Sequence, residues 1–569
     1  MDKSPFVAQS FETGTEAGKK SVMERIWQYK MHYLIVLPAL FLIFGLKIIP
    51  FLQGIFMSFT DYNIFHGWFQ SEWVGLDNYK ALFENEGFQD ALVNTITYKL
   101  SYLVLSGVLA LVVALALSGI RSGVVRSIVT TGLLIPYVIP TVLFGYLALS
   151  LFGPETTIGV AANSGRLLML MTEVVKTCGI PIVVALAAIA AKHADDKSGN
   201  LINEESFWKM NVLPAIRAIS ALTLVQLSIV ASTDRELAYL FLNPINAMHI
   251  ETIDTFIFRI GFSNMRYSLA SAASTIQFLI QFVLVVAAYF IVRGSFIKSL
   301  FSRTFSETGN INRGSKGIGY LVGFISTGLV LWLLYYSFIA PFFASSDNSM
   351  PLSEVLPFSK LIGFIILFIF AAVFHLVITV TLAYPLTVKL LPGRTIYRLF
   401  LLFVMTMSSV AIVDFLLVIS LEMIGTYFPY PLMGLINIVS VFALKSIFNS
   451  KYGHLKEQAE RENRSETATF FTLFIPGIWK PLLALGALQF ILLWNAFLPS
   501  VIYSPNPETM TPAGILYQLS RMSSSPEAFI SDSFVMQVGA IVSLPALILF
   551  LALRKWMTSE VLTAGLFKR

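Results

Sequence analysis

The sequence predicts an all-α polytopic membrane protein of about twelve transmembrane helices, arranged as two parallel six-helix repeats. Three observations carry this. Of 569 residues, 56% are hydrophobic and only 13% charged, roughly half the charged share of a soluble domain. The apolar residues gather into stretches of about 20, the length that crosses a bilayer as a helix. A polar linker then divides the chain into halves that repeat one local pattern.

The spans are expected near 33–59, 92–118, 127–151, 166–190, 213–232 and 269–292, then near 319–343, 361–388, 397–423, 431–448, 482–502 and 534–553. About thirty polar residues come before the first, which argues against a cleavable signal peptide. With the amino terminus in the cytosol, cytosolic segments hold about 28 Lys and Arg, among them Lys19, Arg121, Arg394 and Lys456, and outside segments about seven. This positive-inside bias predicts that both termini are cytosolic in a multi-pass protein of the cell membrane. The surplus of base thus follows topology and implies no nucleic acid. One cysteine, Cys178, excludes an internal disulfide and a thiolate metal cluster.

The segment "GSFIKSLFSRTFSETGNINRGSKG", residues 294–317, is basic and Gly/Ser-rich and reads as a cytosolic linker. The expected organisation is a cytosolic segment 1–30, a first six-span unit 31–293, the linker 294–317 and a second six-span unit 318–569. The halves share "VLPAIRAISALTLVQL" from Val212 and "FIPGIWKPLLALGALQF" from Phe474. Each runs from a polar stretch through Pro214 or Pro476 into a span carrying Gln226 or Gln489. Six spans per half bring both copies into the membrane in the same sense, as in parallel transporter repeats.

Between the tenth and eleventh spans lies "EQAERENRSETATFFTLFIP", Glu457 to Pro476. It resembles the cytosolic loop signature of binding-protein-dependent ABC importer permeases, E-A-A-x-x-x-G, nine residues, I-x-L-P. Glu457, Ala459, Leu473, Ile475 and Pro476 fall on matching positions, and Asn463 stands where the signature has Gly. Asn tolerates left-handed backbone better than most residues. "WVGLDNYKALFENEGFQDALVNTI" from Trp73, "LNPINAMHIETIDTFIFRIGFSNMRYSLASAAS" from Leu242, "AYPLTVKLLPGR", "WNAFLPSVIY" and "LTAGLFKR" are similar to permeases for oligosaccharides. The chain thus resembles two sugar-type permeases, usually separate, joined head to tail, and the resemblance implies the type I importer fold.

The same resemblance implies a coupling helix in that loop, docking on an ATPase with Phe470, Phe471 and Phe474 as an apolar foot. In the first half the loop "KHADDKSGNLINEESFWKMNVLP" keeps little beyond Pro214, so either Glu204, Glu205, Phe207 and Trp208 do the docking or that half grips the ATPase weakly. The implied partners are two nucleotide-binding ATPase subunits carrying ATP and Mg, an extracellular solute-binding protein, and a carbohydrate solute. No cofactor is expected in the chain itself. "GTEAGKKS" at Gly14–Ser21 lacks the ending and spacing of a phosphate-binding loop, so ATP hydrolysis belongs on a separate subunit.

Solute contacts are expected from Glu173 and Lys176, three apart inside the fourth span, and from Gln226, Gln489, Trp494 and Asn495. The first pair reads equally as a structural ion pair, and the glutamines as helix–helix hydrogen bonds. The alternative is a twelve-span secondary transporter, for which Glu173, Asp414 and Glu422 would supply buried carboxylates. A membrane-embedded enzyme has no reactive constellation to support it.

Overall fold

The computed structural model describes residues 22–566 apart from 66, 68–69, 153–161, 196–206, 244–245, 294–310, 312–313, 345–350, 389–390, 408–410, 463 and 524–529. Most of the 294–317 linker, together with Glu204, Glu205 and Asn463, lies outside the described residues.

Lipid offers no hydrogen-bond partner to a peptide group, so apolar stretches fold as helices that satisfy their own backbone. The one extended element among the described residues is a short antiparallel hairpin, β1 Thr60–Asp61 with β2 Glu72–Trp73, pairing Thr60 with Trp73.

The helices that build the site are α1 Lys30–Ser58, α2 Glu86–Leu117, α3 Gly123–Val138, α4 Thr141–Phe152, α5 Ala162–Thr177, α6 Gly179–Asp195, α7 Trp208–Leu227, α8 Arg235–Phe241 and α9 Tyr267–Arg293 in the first half. The second half supplies α10 Lys316–Phe342, α11 Phe358–Ala383, α12 Arg394–Thr406, α13 Ala411–Ser420, α14 Ile438–Arg461, α15 Glu466–Asn495, α16 Leu498–Tyr503, α17 Pro512–Ser523, α18 Asp532–Leu553 and α19 Ser559–Leu566.

Eight helices among the described residues are long and apolar enough to cross a membrane, or ten when two bent pairs each count as one span. Each of the expected twelve segments is largely helical where described, yet five are not simple rods, the eleventh being broken at Ala496. α3 and α4 meet at 93° because Ile139 is extended ahead of Pro140. α5 and α6 meet at 42° around Cys178. The ninth segment is divided into α12 and α13, and the tenth is apolar only over Ile438–Ser450 before α14 runs on as a polar helix.

A second feature repeats between the halves. Four wide, five-residue π turns each stand immediately before an X-Pro pair: Phe44–Ile48 before Pro50, Trp208–Val212 before Pro214, Tyr335–Ile339 before Pro341, and Phe470–Phe474 before Pro476. In each, the residue ahead of the proline donates its N–H five residues back: Ile49 to Phe44, Leu213 to Trp208, Ala340 to Tyr335, and Ile475 to Phe470. Proline carries no N–H, and its ring crowds the carbonyl four residues earlier. Widening the turn gives that carbonyl room, so each span continues through its proline. Two of the turns fall in the first expected span of each half, and the other two lie ahead of the fifth.

The largest apolar cluster runs across both halves, from Val36 and Leu143 to Trp494, Val542 and Leu566. The contact between α2 and α10 depends on glycine. A Cβ on Gly119 would lie 2.3 Å from the Ser315 carbonyl oxygen, and one on Gly319 2.8 Å from that of Ala116. Gly363 in α11 faces open space. Gly119→Ala should therefore force the two segments apart and destabilise by about 1–3 kcal/mol, whereas Gly363→Ala should be neutral or stabilise by up to about 1 kcal/mol. Thermal unfolding of both variants in detergent checks this.

Candidate functional site

Where both halves meet, helices stop at the depth of the spans and leave a cavity of about 370 Å³. From the first half Lys47, Tyr137, Lys176, Arg235, Glu236 and Tyr239 line it, and from the second Asp414, Tyr430, Asn437, Asn495 and Tyr503. α19 also reaches it through Gly565 and Leu566.

The breaks create the polar wall. α15 ends where Ala496 turns extended, and α16 begins at Leu498. The amides freed there are taken by the other half, for Glu236 accepts from the N–H of Phe497 at 2.8 Å and of Leu498 at 3.2 Å. The end of α3 is treated likewise, since Asn495 Nδ2 donates to the Val138 carbonyl at 2.6 Å. A third link is the ion pair of Lys47 Nζ with Asp414 Oδ2 at 3.4 Å. Unpaired peptide groups and charges at this depth cost several kcal/mol, so these bonds hold the halves in register.

The remaining acids are also engaged. Asp254 accepts from the Thr233 amide at 2.8 Å and from Gln277 Nε2 at 3.0 Å, and Asp234 caps α8 through the Leu237 amide at 3.1 Å. Asn495 Oδ1 is buried without a hydrogen-bond partner, which leaves an acceptor at the wall.

Of the six expected solute residues, Lys176 and Asn495 line this cavity. Lys176 Nζ donates to the Thr141 hydroxyl. Glu173 does not line it. It is fully buried and accepts from Tyr98 of α2 at 2.5 Å, so the two charges serve different helices. Gln226 is buried in α7 off the cavity. Gln489 donates to the Gly434 carbonyl at 2.6 Å, a helix–helix bond. Trp494 is a core residue, stacked on Phe490 with its indole donating to the Val542 carbonyl at 2.6 Å. Sequence reasoning passed over Lys47, Arg235, Glu236 and Tyr239. Lys47 alone carried a signal, as a single charge inside an apolar span.

The opening of α15 presents a second surface. α14 carries Glu457 and Ala459 out of the apolar region, with Ala459 buried. Glu462 accepts from Gln458 at 2.8 Å and from Arg464 at 2.8 Å, and these bonds hold its carboxyl below the usual range. Ser465 caps the next turn through the Ala468 amide. The expected foot of three phenylalanines needs correction. Phe470 and Phe474 are buried against Tyr384, with ring centroids 4.9 and 5.1 Å away, because the π turn rolls them inward. Phe471 is 62% exposed, and on the corresponding turn of the first half Trp208 is 57% exposed. Pro214 and Pro476 sit directly after the two turns.

Beneath Phe470, Tyr384 donates to Glu466 Oε2 at 2.7 Å and stacks on His32 at 5.1 Å. His32 Nε2 lies 3.0 Å from the same carboxylate. Lys456 stands 4.5 Å over the Tyr384 ring and donates to Thr387 at 2.7 Å.

No family model matches the chain. It is 25% identical over 298 residues to protein LplB of Bacillus subtilis (strain 168), covering 49% of this chain and 93% of that protein. To the polygalacturonan/rhamnogalacturonan transport system permease protein YteP of the same organism it is 26% identical, covering 48% of this chain and 90% of the relative. A bacterial alginate ABC transporter, solved with an alginate pentasaccharide-bound periplasmic protein, aligns at 22% identity and a TM-score of 0.40, over 47% of this chain and 96% of that one. The chain is a multi-pass membrane protein similar to sugar-type ABC importer permeases. Each such relative is matched nearly end to end by about half of it.

Exposure separates two neighbouring phenylalanines. Phe470→Ala should lose about 3–5 kcal/mol of stability as a buried aromatic truncation, and Phe471→Ala should leave stability within about 0.5 kcal/mol. Detergent unfolding curves of both variants decide whether Phe470 belongs to the core.

Proposed function

We propose that this chain is the translocation pore of an ATP-driven ABC importer for a carbohydrate, with two permease units, 31–293 and 318–569, in one polypeptide. The observation that carries the reading is the polar cavity walled by both halves inside a multi-span protein, 370 Å³ in volume. That size suits part of an oligosaccharide. Its tyrosines give apolar faces and hydroxyls, and Asn495 Oδ1 gives an acceptor. The likeness to YteP, a polygalacturonan/rhamnogalacturonan transport system permease protein, supports a saccharide.

In this reading the chain has no catalytic residue and no cofactor of its own. Two ATPase subunits bind ATP and Mg and dock at the two π-turn loops, with Phe471 and Trp208 as the exposed apolar contacts. A solute-binding protein delivers the sugar from outside. Drawing the loops together on ATP binding moves α7 and α15, of which α15 ends at the cavity. The secondary-transporter alternative draws no support from the carboxylates, for Glu173 lies off the cavity, Asp414 is paired with Lys47, and Glu422 is exposed.

The purified chain should hydrolyse no ATP until its ATPase subunit is added, and hydrolysis by the chain alone contradicts the reading. With the ATPase present, Trp208→Ala combined with Phe471→Ala should weaken its association by about tenfold or more, since buried aromatic anchors at interfaces each contribute on the order of 2 kcal/mol. Matched pull-down and uptake assays measure it.

Orientation has its own test. The native cysteine, Cys178, is buried, so added thiols report alone. In intact cells a membrane-impermeant maleimide should label Phe65→Cys, beside the hairpin, and spare Phe471→Cys. The reverse pattern inverts the proposed topology.

A further inference from the structure

Two of the hydrogen-bonded ties between the halves are only half used. Glu236 accepts both the Phe497 and the Leu498 amide on one oxygen, Oε1. Its second oxygen, Oε2, takes no bond from a described residue and is not sealed off, and Glu236 lines the cavity. Asp254 on the same wall differs, for it uses both oxygens, on Thr233 and on Gln277. Asn495 repeats the half-used arrangement from the other half. Its Nδ2 donates to the Val138 carbonyl, while its Oδ1 is buried at the wall without a partner.

The two spare acceptors belong to one place. Asn495 and Phe497 are two residues apart, at most about 7 Å of backbone. The Lys176 ammonium is near enough to act on the Glu236 carboxylate, and Tyr239, one turn along α8, brings a ring to the same wall. An acceptor buried without a donor costs about 1–3 kcal/mol, and a carboxylate has room for about four hydrogen bonds. Both atoms are therefore set to take donors from whatever fills the cavity. A hydroxyl meets a carboxylate in a short, charge-assisted bond, roughly twice as strong as a neutral one.

We propose that Glu236 and Asn495 determine specificity for the solute, each with one atom tying the halves together and the other accepting a sugar hydroxyl. The inference rests on the carbohydrate-pore reading above and names the side chains that read the solute. It also gives the solute a mechanical role. Oε1 and Oε2 belong to one rigid carboxylate, so a hydroxyl held on Oε2 fixes the group that holds the break between α15 and α16. An occupied cavity then ties the halves more firmly than an empty one. A molecule of sugar shape without hydroxyl donors leaves both acceptors unpaired and is rejected.

The test is equilibrium binding to the full chain in phosphatidylcholine nanodiscs at about pH 8, where a carboxyl is ionised. The probes are galactotriose, maltotriose and xylotriose, each beside its fully O-methylated form. Wild type should bind at least one free trisaccharide, and its methylated form about a hundredfold or more weakly. Glu236→Gln keeps an oxygen for the two amides but puts an N–H donor where Oε2 stood. It should melt within a few degrees of wild type, bind the free sugar about tenfold or more weakly, and discriminate less against the methylated one. Glu236→Ala should lose both stability and binding. In wild type, which needs no variant to fold, bound sugar should slow hydrogen exchange at the Phe497 and Leu498 amides. Wild-type affinity in Glu236→Gln, equal binding of free and methylated sugars, or exchange at those amides that ignores the sugar overturns the double role and leaves the carbohydrate reading standing. Failure of wild type to bind any of the free trisaccharides overturns both.

Discussion

A helix that ends inside a membrane leaves peptide groups that neither water nor lipid can satisfy, and this constraint organises the molecule. α15 ends at Asn495 and α3 at Val138, and each end is closed from the opposite half, by Glu236 on the Phe497 and Leu498 amides and by Asn495 on the Val138 carbonyl. Each half is incomplete without the other at the level of single hydrogen bonds. The cavity exists because the helices stop there, and the polar groups on its wall are those that make stopping tolerable. Moving the halves apart exposes these groups together, so water or a polar solute has to take their place.

The spans and the proline-led entries to α7 and α15 were legible in the sequence because period, length and proline are local signals. Burial was not. Phe470 and Phe471 are adjacent and chemically identical, and only the π turn beside Tyr384, 86 residues earlier for Phe470, decides which is core. Trp494 reads as a sugar platform by residue type but fills the core beside Phe490, while Tyr239 and Tyr430 reach the cavity from segments with no distinguishing pattern. The twelve apolar stretches were visible, yet the bends at Ile139 and Cys178 and the division of the ninth segment depend on packing as much as on Pro140. Charge was the better guide, though unevenly used: Lys176 reaches the wall, as does the neglected Lys47.

The two halves also touch far from the cavity. His32, at the start of α1, stacks on Tyr384 and sits beside Glu466, where the loop before α15 begins. Lys456 closes the same cluster from α14. The first helix of one half thus rests on the loop of the other, and a push on that loop reaches α1, whose Lys47 lies at the cavity. Loop, helix and wall form one connected body.

The wide turn at Phe470–Phe474 has a geometric consequence at the other end of α15. A π turn is in effect one extra residue wound into an α-helix, and each residue rotates the side chains beyond it by about 100°. Gln489 and Asn495 point where they do because that residue was inserted near the helix's start, twenty-one positions before Asn495. The turn is therefore a phase setting. A homologous chain that lacks it, even with every wall residue preserved in type, would present a different face of the same helix to the solute.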